Sequence, residues 1–168
     1  MSEQVYLSLG SNLGDREANL ASAITALNTF HEIHHIQSAS FYESEPLYNT
    51  DQPPFLNTVV ALQTEFTPFQ LLNAIHHVEQ LLGRPPSREK NKPRTIDIDI
   101  LCFGTTIMET EKLTIPHDDL VNRRFVLVPL NELNPDLIIP VWNQPVRTLL
   151  SLCPDTSQVR KHRLEKNA

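Results

Sequence analysis

The chain has 168 residues, 40% hydrophobic and 20% charged, within the range of one ordinary folded domain and unlike a disordered segment. No apolar run approaches the ~20 residues that cross a bilayer, and Met1 to Tyr6 shows no basic stretch leading into an apolar block, so a cytoplasmic location without membrane contact is expected. A net charge of −6 argues against general nucleic-acid binding, and two distant cysteines, Cys102 and Cys153, exclude a disulfide framework or a structural zinc site.

In chain order, Val5 to Leu9 alternates apolar and polar residues and predicts a strand ending at Gly10. Asp15 then caps a helix with Leu20, Ala23, Ile24 and Leu27 on its apolar face. A second strand is expected from His35 to Tyr42, a proline-rich loop from Glu45 to Pro54, and a third strand from Leu56 to Thr64. The clearest helix starts at Thr67 as cap and Pro68 as first residue. It presents Leu71, Leu72, Ile75, Val78 and Leu82, and Gly83 closes it. A loop from Arg84 to Arg94 leads into a fourth strand, Thr95 to Leu101, and Asn122 to Leu133 is expected to be helical despite Pro129.

This order, strand, helix, strand, strand, helix, strand, is that of an α+β fold of the ferredoxin-like type. Its mostly antiparallel sheet carries both helices on one face, with C-terminal additions. Residues 1–154 are read as a single domain and the polar residues 155–168 as a frayed tail. The four glycines, at 10, 14, 83 and 104, cannot build a phosphate-binding glycine loop of either common pattern. Any nucleotide must therefore be held by side chains and metal ions.

The most informative stretch is Ile96-Asp97-Ile98-Asp99-Ile100. Strand alternation sends the isoleucines to the core and puts both carboxylates on the opposite face, about 6.5–7 Å apart at Cα. Two like charges so close either keep an exposed sheet face wet or share a divalent cation; oxygen ligands alone suit magnesium. Immediately upstream, Arg84, Arg88, Lys90, Lys92 and Arg94 stand against the single acid Glu89. A basic loop feeding a metal-binding pair is suited to polyphosphate chemistry, where cations and guanidinium groups share the phosphate charge. A metal-dependent phosphohydrolase, or a non-catalytic module binding a partner through the open sheet face, uses the same architecture.

Several separated motifs go further. They are Leu9-Gly10-Ser11-Asn12, Ser40-Phe41-Tyr42-Glu43-Ser44, Asp51-Gln52-Pro53-Pro54-Phe55-Leu56-Asn57, Pro93-Arg94-Thr95-Ile96-Asp97-Ile98-Asp99-Ile100, Leu113-Thr114-Ile115-Pro116-His117 and Asn122-Arg123-Arg124-Phe125. Through them, residues 4–140 resemble the 6-hydroxymethyl-7,8-dihydropterin pyrophosphokinases of folate biosynthesis. These enzymes move the β- and γ-phosphates of ATP as one unit to the pterin hydroxymethyl group and release AMP.

The resemblance implies that Asp97 and Asp99 hold two magnesium ions and that Arg84 and Arg94 clamp the phosphates. It implies a pterin site of Ser44, Glu45, Leu47, Phe55, Asn57 and Phe125. For ATP it implies His76, Glu79, Arg84, Arg94, Ile100, Lys112, Thr114, His117 and Arg123. A monomer acting on these small molecules is expected, without nucleic acid. Departures from the family pattern are Asn91 in place of a loop tryptophan, Pro85-Pro86 at the loop start, Lys112 for an arginine and Asp118 for an aromatic.

Overall fold

The computed structural model describes residues 2–45, 51, 53–83 and 95–163. Its elements in chain order are β1 (Glu3–Ser11), α1 (Arg16–Leu27), β2 (Ile33–Ser38), β3 (Tyr42–Ser44), β4 (Phe55–Thr64), α2 (Pro68–Leu81) and β5 (Asp97–Phe103). There follow β6 (Met108–Glu109), β7 (Thr114–Ile115), α3 (Arg124–Leu133), β8 (Ile138–Ile139), β9 (Gln144–Pro145), α4 (Val146–Leu152) and β10 (Val159–Lys161).

β1 lies between β4 and β5, antiparallel to both, while β2 and β3 both pair with β4 along its other side. If β2 and β3 count as one interrupted strand, this is the ferredoxin-like arrangement expected. The interruption corrects the single strand predicted over His35 to Tyr42. β2 ends at Ser38 and β3 begins at Tyr42, so the break falls at 39–41; within β2 itself His35 has φ +54° and the register slips between His34 and Gln37 as a bulge.

Both helix starts follow from their caps. Asp15 accepts the Ala18 N–H, and Thr67 and Gln70 form a reciprocal capping box ahead of α2. At the other end of α2, Gly83 takes φ +92°, a conformation that strains any residue with a Cβ. α1 and α2 bury Leu20, Ala23, Leu27, Leu71, Ile75 and Val78 against Val5, Leu7, Leu9, Leu56, Ile98 and Ile100 of the sheet. The other sheet face is also half covered. Tyr6, Val59, Ala61, Leu101 and Cys102 pack beneath Val126, Leu127 and Leu130 of α3 and Val146 and Leu149 of α4. Burial pushes the Cys102 thiol up to about 12, so it serves as an inert core residue, and neither cysteine is in a disulfide.

The expected frayed tail needs correction as far as residue 163. β10 pairs antiparallel with β3, and the His162 N–H donates to the Phe41 carbonyl at 2.8 Å. Main-chain bonds to an exposed sheet edge make this strand, so side-chain polarity gave no sign of it.

Candidate active site

The two strand carboxylates lie where the alternation puts them. Ile96, Ile98 and Ile100 are all within 4% of full burial, while Asp97 and Asp99 are half-buried on the opposite face. Cross-strand register then does what no local pattern reveals. Asp97 stands opposite Gly10 on β1, Gly10 opposite Asn57 on β4, and Asn57 opposite Tyr42 on β3. Residues directly opposite each other share a face, so Asp97, Gly10 and Asn57 form one row across the sheet, about 10 Å from end to end.

Gly10 is the gap in that row. A Cβ there would come within 3.0 Å of Asn57 Oδ1 and 3.5 Å of a Phe55 ring carbon. Asn57 is buried, and its Nδ2 donates to Ser44 Oγ at 2.6 Å. The amide is thus oriented with Oδ1 toward the gap. Phe55 faces the same side of β4, two residues before Asn57. Beneath them, Arg16 of α1 donates through one nitrogen to the Pro54 carbonyl and through the other to Glu43, each at 2.9 Å. Sequence reading did not single out Gly10 or Arg16, though Gly10 lies in the quoted Leu9-Gly10-Ser11-Asn12 motif.

On the outer side of β5 a cavity of about 250 Å³ is lined by His76, Asp99, Ile100, Lys112, Thr114 and His117, together with Leu72, Ile98, Thr110, Glu111, Leu113 and Asp118. Five residues implied for ATP therefore gather around one of the two carboxylates. A wider depression runs on past His76 and Lys112 to Phe69 and Asn73. His117 is fixed by its own turn, its Nδ1 accepting the Asp119 N–H at 3.2 Å. The neutral ring therefore carries its proton on Nε2, available as a donor.

Arg123 donates from Nε to Asp119 at 2.9 Å and lies 5.8 Å over the ring of Phe125, the second residue of α3. The Asp119 carboxyl sits below its usual range. Burial is the largest influence and pushes it up, but hydrogen bonds from Asn122 and Arg123, with the charges of Arg123 and His117, outweigh it.

Glu79 is 2% exposed and accepts the Ile98 N–H through Oε2 at 3.0 Å. It lies under the strand carrying the carboxylates and outside the residues that line the cavity. Glu45 is exposed at the end of β3. Leu47, Arg84 and Arg94 lie outside the described residues, as does the whole of the basic loop.

The oxygen donors suit magnesium. Two carboxylates share one face, and no cluster of three or more His, Cys, Asp or Glu that could hold a metal occurs among the described residues. The rest of a cation's shell would then fall to phosphate oxygens and water, the coordination magnesium favours.

Fold and residue placement together have the form of a phosphotransferase built on a ferredoxin-like sheet. A family model for 7,8-dihydro-6-hydroxymethylpterin-pyrophosphokinase matches residues 6–135, and the chain belongs to that family. It is 42% identical over 135 residues to the 2-amino-4-hydroxy-6-hydroxymethyldihydropteridine pyrophosphokinase of Haemophilus influenzae, covering 80% of this chain and 84% of that one. For the enzyme of the same name from Pseudomonas aeruginosa the figures are 38% identity, 92% and 94%. The folic acid synthesis protein fol1 of Schizosaccharomyces pombe is 42% identical over 149 residues, and there this chain spans only 20% of the relative's length. The crystal structure of wild-type Plasmodium falciparum HPPK-DHPS with pteroate shares the fold, with a TM-score of 0.70 at 18% identity, covering 90% of this chain and 42% of that one.

Proposed function

We propose that Asp97, Asp99 and Asn57 divide between them the reaction of this family, in which the chain transfers the pyrophosphoryl group of ATP to the hydroxymethyl group of 6-hydroxymethyl-7,8-dihydropterin and releases AMP. The observation that carries the reading is the row Asp97–Gly10–Asn57. A flat heterocycle read by the Asn57 amide and stacked on Phe55 lies over Gly10, whose missing Cβ leaves room for those two side chains. Its substituent then points along the row toward Asp97.

Ser44 fixes which way the Asn57 amide points, and Phe125 closes the ring from the α3 side; Glu45 and Leu47 are assigned to the pterin on the strength of the family resemblance alone. The nucleotide occupies the cavity beside Asp99. There Lys112 and the His117 Nε2–H meet phosphate oxygens, and His76, Ile100 and Thr114 bound the nucleoside; Arg123, outside the cavity lining and oriented by Asp119, is assigned to ATP on the strength of the family motif. Glu79 acts on this site through the β5 main chain. Arg84 and Arg94 are assigned to the phosphates on the strength of the family motif.

Asp97 and Asp99 would hold the two magnesium ions, which would offset phosphate charge and make the pterin hydroxyl easier to deprotonate. The chain's own contribution is to hold acceptor and phosphorus in line and to turn Arg and Lys donors toward the charge that develops. No helix among the described residues is long and apolar enough to cross a membrane. We assign the enzyme to the cytoplasm, as a monomer whose catalytic unit extends through residue 163.

The test is product identity. With ATP and magnesium, AMP appears only when hydroxymethyl-dihydropterin is present. Asp97→Ala lowers the rate on the order of 10²–10³-fold while the melting temperature stays near that of the parent. ADP as product, or AMP formed without pterin, would contradict the assignment.

A further inference from the structure

Residues 155–162 have no part in the reaction as assigned, yet they join the two walls of the pterin site. At one end, Asp155 Oδ2 accepts the Arg124 N–H at 3.0 Å, while its Oδ1 accepts from Ser157 at 2.9 Å. Arg124 opens α3 and Phe125 follows it. The amides of a first helical turn have no partner within the helix, and Arg123 at the cap position supplies no side-chain bond. A carboxylate 31 residues further along the chain closes that end instead.

At the other end, β10 sets Val159 opposite Ser44, Arg160 opposite Glu43 and Lys161 opposite Tyr42. The His162 ring also contacts the Glu17 carboxylate on α1. β3 has only three residues and β4 on its inner side, so β10 supplies its second set of main-chain bonds. β3 carries Ser44, which orients Asn57.

We propose that Asp155 to His162 is a strap that fixes the distance between the Phe125 wall and the Ser44–Asn57 wall, so that pterin recognition depends on it far more than nucleotide binding does. The proposal rests on the pterin assignment above. These are positioning residues: they act through β3 and the start of α3, and none of them touches the substrate.

Register picks the variant. Bonded and non-bonded pairs alternate along an antiparallel ladder, and the His162 N–H to Phe41 bond places Arg160 and Glu43 in the bonded set. Arg160→Pro removes that N–H, Arg160→Ala retains it, and Asp155→Ala removes the α3 cap.

Steady-state kinetics on the full chain are expected to show KM for hydroxymethyl-dihydropterin raised about five- to twentyfold in Arg160→Pro and Asp155→Ala, with KM for ATP within about twofold of the parent. Arg160→Ala is expected to match the parent. Equal rises in both KM values, or an unchanged pterin KM in Asp155→Ala, would overturn the strap. Asp155→Ala alone decides if the proline variant does not fold. A parent enzyme that forms no AMP with pterin would instead remove the assignment beneath it.

Discussion

Gly10 shows how a residue without a side chain shapes the site. Nothing in its neighbourhood along the chain says why it must be small. The reason is Asn57, 47 positions away and directly opposite, whose Oδ1 would lie 3.0 Å from any added Cβ. Asn57 cannot swing aside without losing its bond to Ser44 in a buried setting. Gly10→Ala should therefore cost about 1–3 kcal/mol of stability by overpacking and raise the pterin KM more than the ATP KM, read by urea titration and initial rates. A variant with normal pterin affinity would count against the row as the binding track. By contrast, Asp97 and Asp99 were legible from sequence because a two-residue period and three isoleucines assign their face. Gly10 and Arg16 were not, because their partners are distant in sequence and only strand register brings them together.

Among the elements, β5 has the most exacting requirements. It is an edge strand, so alternate amides point away from β1 and need an acceptor. The Ile98 amide, between the two carboxylates, finds it in the buried carboxylate of Glu79 on α2. Family resemblance points Glu79 toward ATP, and the fold gives it this structural bond. Glu79→Ala should strand the amide and cost about 1–3 kcal/mol, seen as a lower urea midpoint, with turnover reduced because β5 carries both Asp97 and Asp99. Unchanged stability would contradict this. The helices were legible from their capping residues, Asp15, Thr67 and Pro68. The break between β2 and β3 was not, since Ala39, Ser40 and Phe41 include no glycine or proline to mark it. β10 was missed for a related reason: its bonds come from the main chain of an edge.

Across the whole molecule, carboxylates tie the C-terminal layer to the sheet. Glu132 of α3 accepts from the Tyr42 hydroxyl at 2.6 Å and from the Ser40 N–H at 2.8 Å. Burial, and then the bond and charge of Glu132, push Tyr42 up to about 12. For Glu132 itself, burial pushes upward, yet the Tyr42 and Ser40 bonds and the Lys161 charge bring it below its usual range. Asp155 is lowered in the same way, burial being outweighed by bonds from Ser157 and Arg124.

Groups with depressed folded pKa values bind fewer protons folded than unfolded. Their contribution is present above the unfolded values near pH 4 and is lost as pH falls through the folded ones. Urea midpoints should therefore drop between pH 6 and pH 3, and Glu132→Gln should reduce the size of that drop. An identical drop in the variant would show that the carboxylate is not involved. At this scale the strand and helix order was readable from periodicity. That α3 and α4 cover the second face beside the active site was not, because an isolated amphipathic helix does not declare which layer it joins.

The most direct measurement is anomalous diffraction from crystals grown with manganese, a non-hydrolysable ATP analogue and the pterin. Manganese peaks are expected in contact with both Asp97 and Asp99, with the pterin ring over Gly10 and its amide edge on Asn57. Peaks bound elsewhere, or full nucleotide occupancy without metal at those two carboxylates, would contradict it.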